Sequence, residues 1–390
     1  MIVEIDIQEL SEGHYVVDIV KQQASYALTN SGHIKNQQVI ESLKRKGVLS
    51  VLIDTSKSES NQEGNAKLGR FHDEQLPAIV EITKAKKLFN QSKQLQQQLL
   101  QDFASGEPVN LTPIVESSNQ TLNAIYKNPD ALACIINIRE KSEYLLEHSV
   151  AVSMLMSIFA HYLALDHQIS QQLALGAFLH DVGKVKIPDV LLNKRSKLTP
   201  TEYAIVKTHV NHSIELVRQI PGLSEISMEV VALHHERLNG SGYPYKLTAD
   251  KISQYGRMIA ICDVFDALIS NKTHKNGYSH VQAFAILRKM GQKQELDIQL
   301  VDAFIKCLGV YPVGSLVELS SQKLAIVEAR NLQDTLKPKV RSFYDLTDRR
   351  YIMTQDIDLS QSSEKILKGC RAEDYKLDMN KIIEFLMMQG

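Results

Sequence analysis

This chain of 390 residues lacks an excess of either charge, with 44 Lys and Arg against 45 Asp and Glu. That balance argues against a protein built mainly to hold a nucleic-acid polymer, and leaves room for a local basic pocket that takes a small phosphate ligand. No apolar run approaches the ~18 residues of a membrane span. The most apolar stretch, Met154–Tyr162, is flanked or interrupted by His148, His161 and Asp166. The four cysteines, Cys134, Cys262, Cys307 and Cys370, are far apart and make no metal-type pair. With no signal segment in view, they suggest a reducing cytoplasm. No internal repeat is evident. The expectation is a soluble intracellular protein, too long for one ordinary core and divided into two or three domains.

Along the chain, residues 1–56 read as a small mixed α/β domain. Strand signals lie at Ile2–Ile7, Tyr15–Val20 and Val48–Ile53, and a short helix ends at Gly47. Residues 57–112 read as a polar linker followed by a helix dense in Gln and Lys over Ala78–Phe103. That helix is either a connecting or dimer-forming element, or one packed on its own domain. From 113 to 310 the pattern is almost wholly helical. Leu145, His148, Val152, Leu155, Phe159 and Tyr162 share one inward stripe. A helix runs from about Ser170 to Asp181. Another starts at Thr199-Pro200-Thr-Glu202, a capping box with proline at its first position, and aligns Val206, His209, Ser213 and Leu216. Two more cover Ser224–Glu236 and Gln254–Ser270. Residues 311–390 read as a β-rich extension with strands at Leu316–Leu319, Leu324–Ala329 and Val340–Phe343, then an amphipathic run Met379–Met388.

The chemistry collects in the helical stretch. His180 and Asp181 are adjacent where a helical pattern runs out. Neighbouring side chains on a helix diverge by about 100°, so the pair can reach one metal ion only near a helix end. His148, His209, His234, His235 and Asp263 complete a set of five histidines and two aspartates, more than one ion normally uses. A carboxylate can bridge two ions and an imidazole serves one, so Asp181 is the expected bridge. Imidazoles with carboxylates suit Mn, Fe, Zn or Ni. Two ions can clamp a phosphate and lower the pKa of a water, and Lys184, one turn after His180, can neutralise charge on the transferred phosphoryl group. The implied reaction is metal-assisted hydrolysis of a phosphate ester, with Asp181 and Lys184 as its catalytic residues. Two assignments have rivals: His212 sits three residues from His209, and Asp266 one turn beyond Asp263 and is instead a candidate partner for a ligand histidine. Glu236 either orients a ligand or caps the following turn.

His180-Asp181-Val-Gly-Lys184 followed by His234-His235-Glu236-Arg-Leu-Asn-Gly-Ser-Gly242-Tyr243-Pro244 resembles the HD-GYP family of cyclic dinucleotide phosphodiesterases. His148-Ser149, His209 and Asp263-Val-Phe-Asp266 fall where the family's pattern expects them. The agreement spans roughly Ile125 to Leu308. The stretch Ile5–Thr55 is similar to the small domain that often precedes HD-GYP in bacteria. The resemblance implies a multidomain, mainly α protein, with an all-helical HD-type metallohydrolase core between the α/β domain and the β-rich extension. It implies iron or manganese, with nickel, magnesium or zinc as alternatives. It also implies hydrolysis of cyclic di-GMP to the linear dinucleotide or on to GMP. Cyclic GMP-AMP as substrate, or sensing without turnover, are the competing readings. Gly242, Tyr243, Pro244 and Lys184 are then substrate-binding residues.

Two departures shape the expectation. Members with three metals carry a glutamate four residues before the first histidine; here that position is Tyr144, which favours two ions. The family's Arg-Pro-Tyr segment is Lys272-Thr273-His274 here. An ammonium lacks the two parallel bonds of a guanidinium, so phosphate binding through Lys272, shared with Lys275, is expected to be weaker.

Overall fold

A computed structural model of the chain describes residues 2–11, 13–22, 32–34, 37–45, 47–54, 78–138, 144–194, 196–270, 277–331 and 333–389. The polar linker expected from residue 57 and the Lys272–Lys275 segment lie outside the described residues. Contacts divide the chain into two compact units, Met1–Glu74 and Gln75–Gly390.

In the first unit, β1 (Ile2–Asp6), β2 (Tyr15–Gln22), β3 (Gly32–His33), α1 (Gln37–Arg45) and β4 (Val48–Asp54) follow in order. Antiparallel pairing gives the sheet order β1-β4-β2-β3. Ile40 and Leu43, three apart on α1, face the same buried cluster as Val16, Val51 and Ile53. Gly47, at φ 78°, closes α1 with its N–H on the Lys44 carbonyl at 2.9 Å.

The second unit begins with α2 (Ala78–Ser105), α3 (Thr112–Lys127), α4 (Pro129–Ile138), α5 (Tyr144–Tyr162) and α6 (His167–Leu179). A 3-10 turn over Val182–Lys186 leads to α7 (Asp189–Leu192), α8 (Pro200–Lys207), α9 (His209–Arg218), α10 (Glu225–Leu233), α11 (Gln254–Ile269), α12 (His280–Gln292) and α13 (Ile298–Leu308). One apolar cluster joins these helices apart from α7 and α8, with Phe159, Phe265 and Phe304 edge to face within it. The apolar face of the Gln-rich helix belongs to it: Ala85, Phe89, Leu99 and Phe103 of α2 are buried there. That face is packed on its own domain, so a dimer through α2 would have to use its polar side. Among the described residues, no helix is long and apolar enough to cross a membrane.

An antiparallel sheet follows: β5 (Leu316–Leu319), β6 (Lys323–Ala329), β7 (Lys339–Asp345), β8 (Arg350–Asp358) and β9 (Ile366–Cys370), in the order β8-β7-β6-β5-β9, with α14 (Met379–Gln389) after it. The sequence pattern showed the three inner strands and missed the two edges. The reason is physical. Edge strands carry charge and lose apolar alternation because one side has no strand to pair with, and β8, with Arg350, Asp356 and Asp358 among its residues, buries none of them fully.

Two helical expectations need correction. Tyr162, placed on the inward stripe of α5, is 45% exposed, because it ends the helix beyond the core. The single helix expected from Pro200 to Leu216 is two helices, broken at Thr208. Its capping box is present: Glu202 N–H donates to Thr199 Oγ1 and Thr199 N–H to the Glu202 carboxylate.

Candidate metal centre

Three imidazoles are held by one device. A helix leaves its last carbonyls without intrahelical partners. His180 follows the end of α6 and donates Nδ1–H to the Ala177 carbonyl at 2.7 Å. His209 follows the break at Thr208 and donates to Val206 O at 2.7 Å. His234 follows α10 and donates to Val231 O at 2.8 Å. A carbonyl only accepts, so Nδ1 carries the proton in each ring and Nε2 offers its lone pair. The break at Thr208, which the sequence pattern did not reveal, is what supplies the Val206 carbonyl. His148 lies near the start of α5, away from the C-terminal carbonyls that a helix leaves free. Its Nδ1 meets the Asp266 carboxylate at 2.8 Å instead.

All four Nε2 atoms turn toward Asp181, whose two oxygens divide them. Oδ1 lies 3.3 Å from His209 Nε2 and 3.9 Å from His234 Nε2. Oδ2 lies 3.4 Å from His180 Nε2 and 3.6 Å from His148 Nε2, and is bonded by the Lys184 ammonium. The remaining donors extend each half. His209, His234 and His235 have ligand atoms within 4.8 Å of one another, as do His148, His180 and Asp263. Asp263 Oδ1 stands 3.1 Å from His148 Nε2, and Oδ2 stands 3.6 Å from His235 Nδ1. Each half therefore offers three donors plus one oxygen of Asp181.

The electrostatics fit a cation on these groups. His180 Nε2 and Asp181 Oδ1 are buried without a hydrogen-bond partner, a costly arrangement unless an ion takes both. Burial holds His234 well below the usual histidine range, helped by the neighbouring histidines, and pulls His235 down to about 3. Both imidazoles are therefore neutral at neutral pH, as a metal ion would require of them. Burial opposes ionisation of Asp181, but the Lys184 charge, helped by the His180 and His209 imidazoles beside it, outweighs it and holds the carboxyl well below its ordinary value. Burial likewise lowers His148, but its bonds to Asp263 and Asp266 win and raise it to about 9. A cation on His148 must displace that proton. The donor set, buried histidines with two carboxylates, suits a borderline transition-metal ion.

His212 is not part of this cluster. Its ring lies on the outer side of α9 with Glu215 at 3.5 Å, while His209 is buried. Of the histidines read as surface or structural, His161 sits edge-on to Tyr126 and His280 bonds Asn137 at 2.8 Å.

The turn after His235 is built around Glu236. Its carboxylate accepts the N–H groups of Tyr245, Lys246 and Leu247 at 2.7, 3.1 and 2.9 Å, so Glu236 caps the turn and is not a donor to the centre. Gly242 passes so close that a Cβ would lie 2.4 Å from Arg237 N. This folds the Tyr243 ring onto His235, with centroids 4.6 Å apart. The Tyr243–Pro244 peptide is cis. Burial raises the Tyr243 phenol, keeping it a hydrogen-bond donor. Sequence reasoning gave no role to two further groups. Ser213 Oγ accepts the Gly183 N–H at 2.8 Å, pinning the turn that carries Asp181 and Lys184. Asp166 caps α6 from the Gln168 N–H, and Asp just before a periodic run was its signal.

A helical body carrying buried His-Asp clusters that could hold metal ions is the make-up expected of an HD domain. A family model for the HD domain matches residues 132–300, and one for a domain of unknown function, DUF3391, matches residues 2–114. A cyclic di-GMP phosphodiesterase of Pseudomonas aeruginosa is 28% identical over 377 residues, 93% of this chain and 90% of that one. A 3′3′-cGAMP-specific phosphodiesterase of Vibrio cholerae is 38% identical over 136 residues, 35% of this chain and 26% of its own length. A cyclic di-GMP phosphodiesterase of the same organism is 28% identical over 302 residues, covering 76% of this chain and 58% of the relative. The chain thus carries an HD domain, with a DUF3391 domain before it, and is similar along most of its length to a cyclic di-GMP phosphodiesterase.

Proposed function

We propose that this protein is a metal-dependent phosphodiesterase that hydrolyses cyclic di-GMP to the linear dinucleotide or on to GMP. The observation that carries the reading is the division of the Asp181 carboxylate, one oxygen toward His209 and His234 and the other toward His180 and His148. We assign one ion to His209, His234 and His235, a second to His148, His180 and Asp263, and Asp181 to both. Iron or manganese is the expected metal. The chemistry two such ions supply when bound is Lewis-acid activation of a phosphodiester and of water.

The chain's own groups do the rest. Asp266 holds the Nδ1 proton of His148 and so keeps Nε2 turned inward. Lys184 sets a positive charge beside Asp181, where a phosphoryl group gains negative charge as its bond breaks. Tyr243, kept protonated, offers a donor at the mouth of the centre, and its ring with Gly242 and Pro244 forms one wall for the substrate. Lys272 and Lys275 remain candidates for further phosphate contacts. No nucleic-acid polymer or membrane is part of the reading. A cytoplasmic location agrees with four buried, free cysteines. A homodimer is retained as an assembly without a role in the centre, since every group assigned here comes from one chain.

Cyclic GMP-AMP is the second substrate reading, supported by the 38% identity to the Vibrio cholerae enzyme over 136 residues. Incubating metal-loaded protein with cyclic di-GMP, cyclic GMP-AMP and a panel of nucleotides separates the readings. Linear product from cyclic di-GMP, faster than from the other compounds, is the expected result. Binding without product under every metal would leave a sensor and overturn the enzyme.

A further inference from the structure

Helix α2 precedes the stretch matched by the HD-domain model, which begins at residue 132. It nevertheless reaches the centre. Its buried face runs Ala85, Phe89, Ser92, Gln96, Leu99 and Phe103, spaced three and four apart as an inward helical stripe should be. Two of these are polar. Ser92 is satisfied by the Ser117 hydroxyl at 3.0 Å. Gln96 is 1% exposed and its Oε1 has no hydrogen-bond partner. Ser149, beside His148, is also 1% exposed, with an unpartnered Oγ. Both residues line one cavity of about 160 Å³ that Asp181 and Lys184 also line. A buried carboxamide oxygen without a donor destabilises the fold, whereas leucine would continue the stripe. Packing therefore explains the position but not the carboxamide.

We propose that Gln96 and Ser149 form a ribose–phosphate subsite, in which Gln96 recognises the 2′-hydroxyl of a ribonucleotide. This rests on the cyclic dinucleotide reading above. The Lys184 ammonium only donates, and the Ser149 hydroxyl can donate, so together they suit a phosphate oxygen. Gln96 Oε1 only accepts, so the ligand must bring a donor. In a ribonucleotide the 2′-hydroxyl is vicinal to the 3′-phosphoester, and arrives with the phosphate. Gln96 thus selects ribose over deoxyribose from a helix outside the HD-domain match.

The test uses the full chain loaded with manganese, as wild type and as Gln96→Leu, with metal content measured on both. Substrates are cyclic di-GMP, its 2′-deoxy analogue, and cyclic di-IMP, which lacks the guanine amino group. The wild type should prefer ribose. Gln96→Leu should raise KM for cyclic di-GMP about tenfold, as for loss of one hydrogen bond of ordinary net strength. The loss should fall in KM rather than kcat, the ribose preference should collapse toward one, and metal content should hold. Ser149→Ala, a smaller change, should weaken the ribose and deoxyribose substrates alike. An unchanged KM with the ribose preference intact would mean that the cavity holds only water, and would overturn the inference. A loss that tracks the guanine amino group would do the same. If the wild type turns over none of these compounds, the assigned activity fails. Calorimetric binding of cyclic di-GMP and its deoxy analogue to the same two proteins then decides the subsite: equal affinity of the wild type for the two ligands overturns it, and a ribose preference that Gln96→Leu abolishes supports it.

Discussion

His148 Nδ1 and Asp266 Oδ2 are joined at 2.8 Å inside the helical body, from α5 and α11, 118 residues apart in the chain. The other three inward histidines give their Nδ1 protons to backbone carbonyls at helix ends. His148 stands near the start of α5, far from the free carbonyls at its C-terminal end, and uses a side chain to do the same job. A carboxylate partner also makes the ring a stronger donor to a cation. The candidate centre therefore combines three imidazoles fixed by helix termination with one fixed by a buried carboxylate.

Asp266→Asn tests that relationship. An amide can present its NH2 to Nδ1 and reverse the tautomer, so metal affinity should fall about 10- to 100-fold. Activity should return when excess manganese is supplied. Metal affinity equal to wild type, measured by competition with a chelator, would show that Asp266 serves packing alone.

Asp181→Ala should abolish turnover and remove most bound metal, because both halves lose a donor at once. His209→Ala should lose metal from one half, and His212→Ala should retain it. Elemental analysis of the purified variants reads all three. A collapse of metal content in His212→Ala would reverse the assignment on α9.

Gly183→Ala should destabilise the protein by about 2 kcal/mol or more, in the range of an overpacked core. A Cβ there would lie 2.1 Å from His209 O and 2.3 Å from Ser213 N, both backbone atoms that carry the centre. Denaturant unfolding of the metal-free chain measures the loss. The variant should also bind metal weakly, since the turn and α9 must separate.

The site was legible in the sequence to the extent that chemistry depends on residue type. Histidine and aspartate at His180-Asp181 and His234-His235, and the Gly-Tyr-Pro turn, announce themselves. His209 was separable from His212 through the stripe it shares with Val206 and Ser213, although the helix carrying that stripe is broken at Thr208. The break leaves no pattern because Thr208 has helical φ and ψ. Gln96 stood in plain view on an apolar stripe, but its cavity depends on α2 meeting α5 and the turn after Asp181. No local pattern encodes that meeting. The edge strands β8 and β9 were invisible for the opposite reason, having too little core contact to leave a period.

Stripping the ions should lower thermal stability, because ligands bound only by the folded state stabilise it by mass action, about 2.7 kcal/mol at 100 times the dissociation constant. Melting with and without chelator measures this. The unit Met1–Glu74, which holds no part of the centre, should unfold unchanged.

The most direct test of the central claim titrates manganese or iron into stripped protein while phosphodiester cleavage of cyclic di-GMP is followed. Two equivalents should bind per chain, and linear product should appear as the second equivalent fills. A chain that binds its metal and cyclic di-GMP yet releases no linear product would contradict the account.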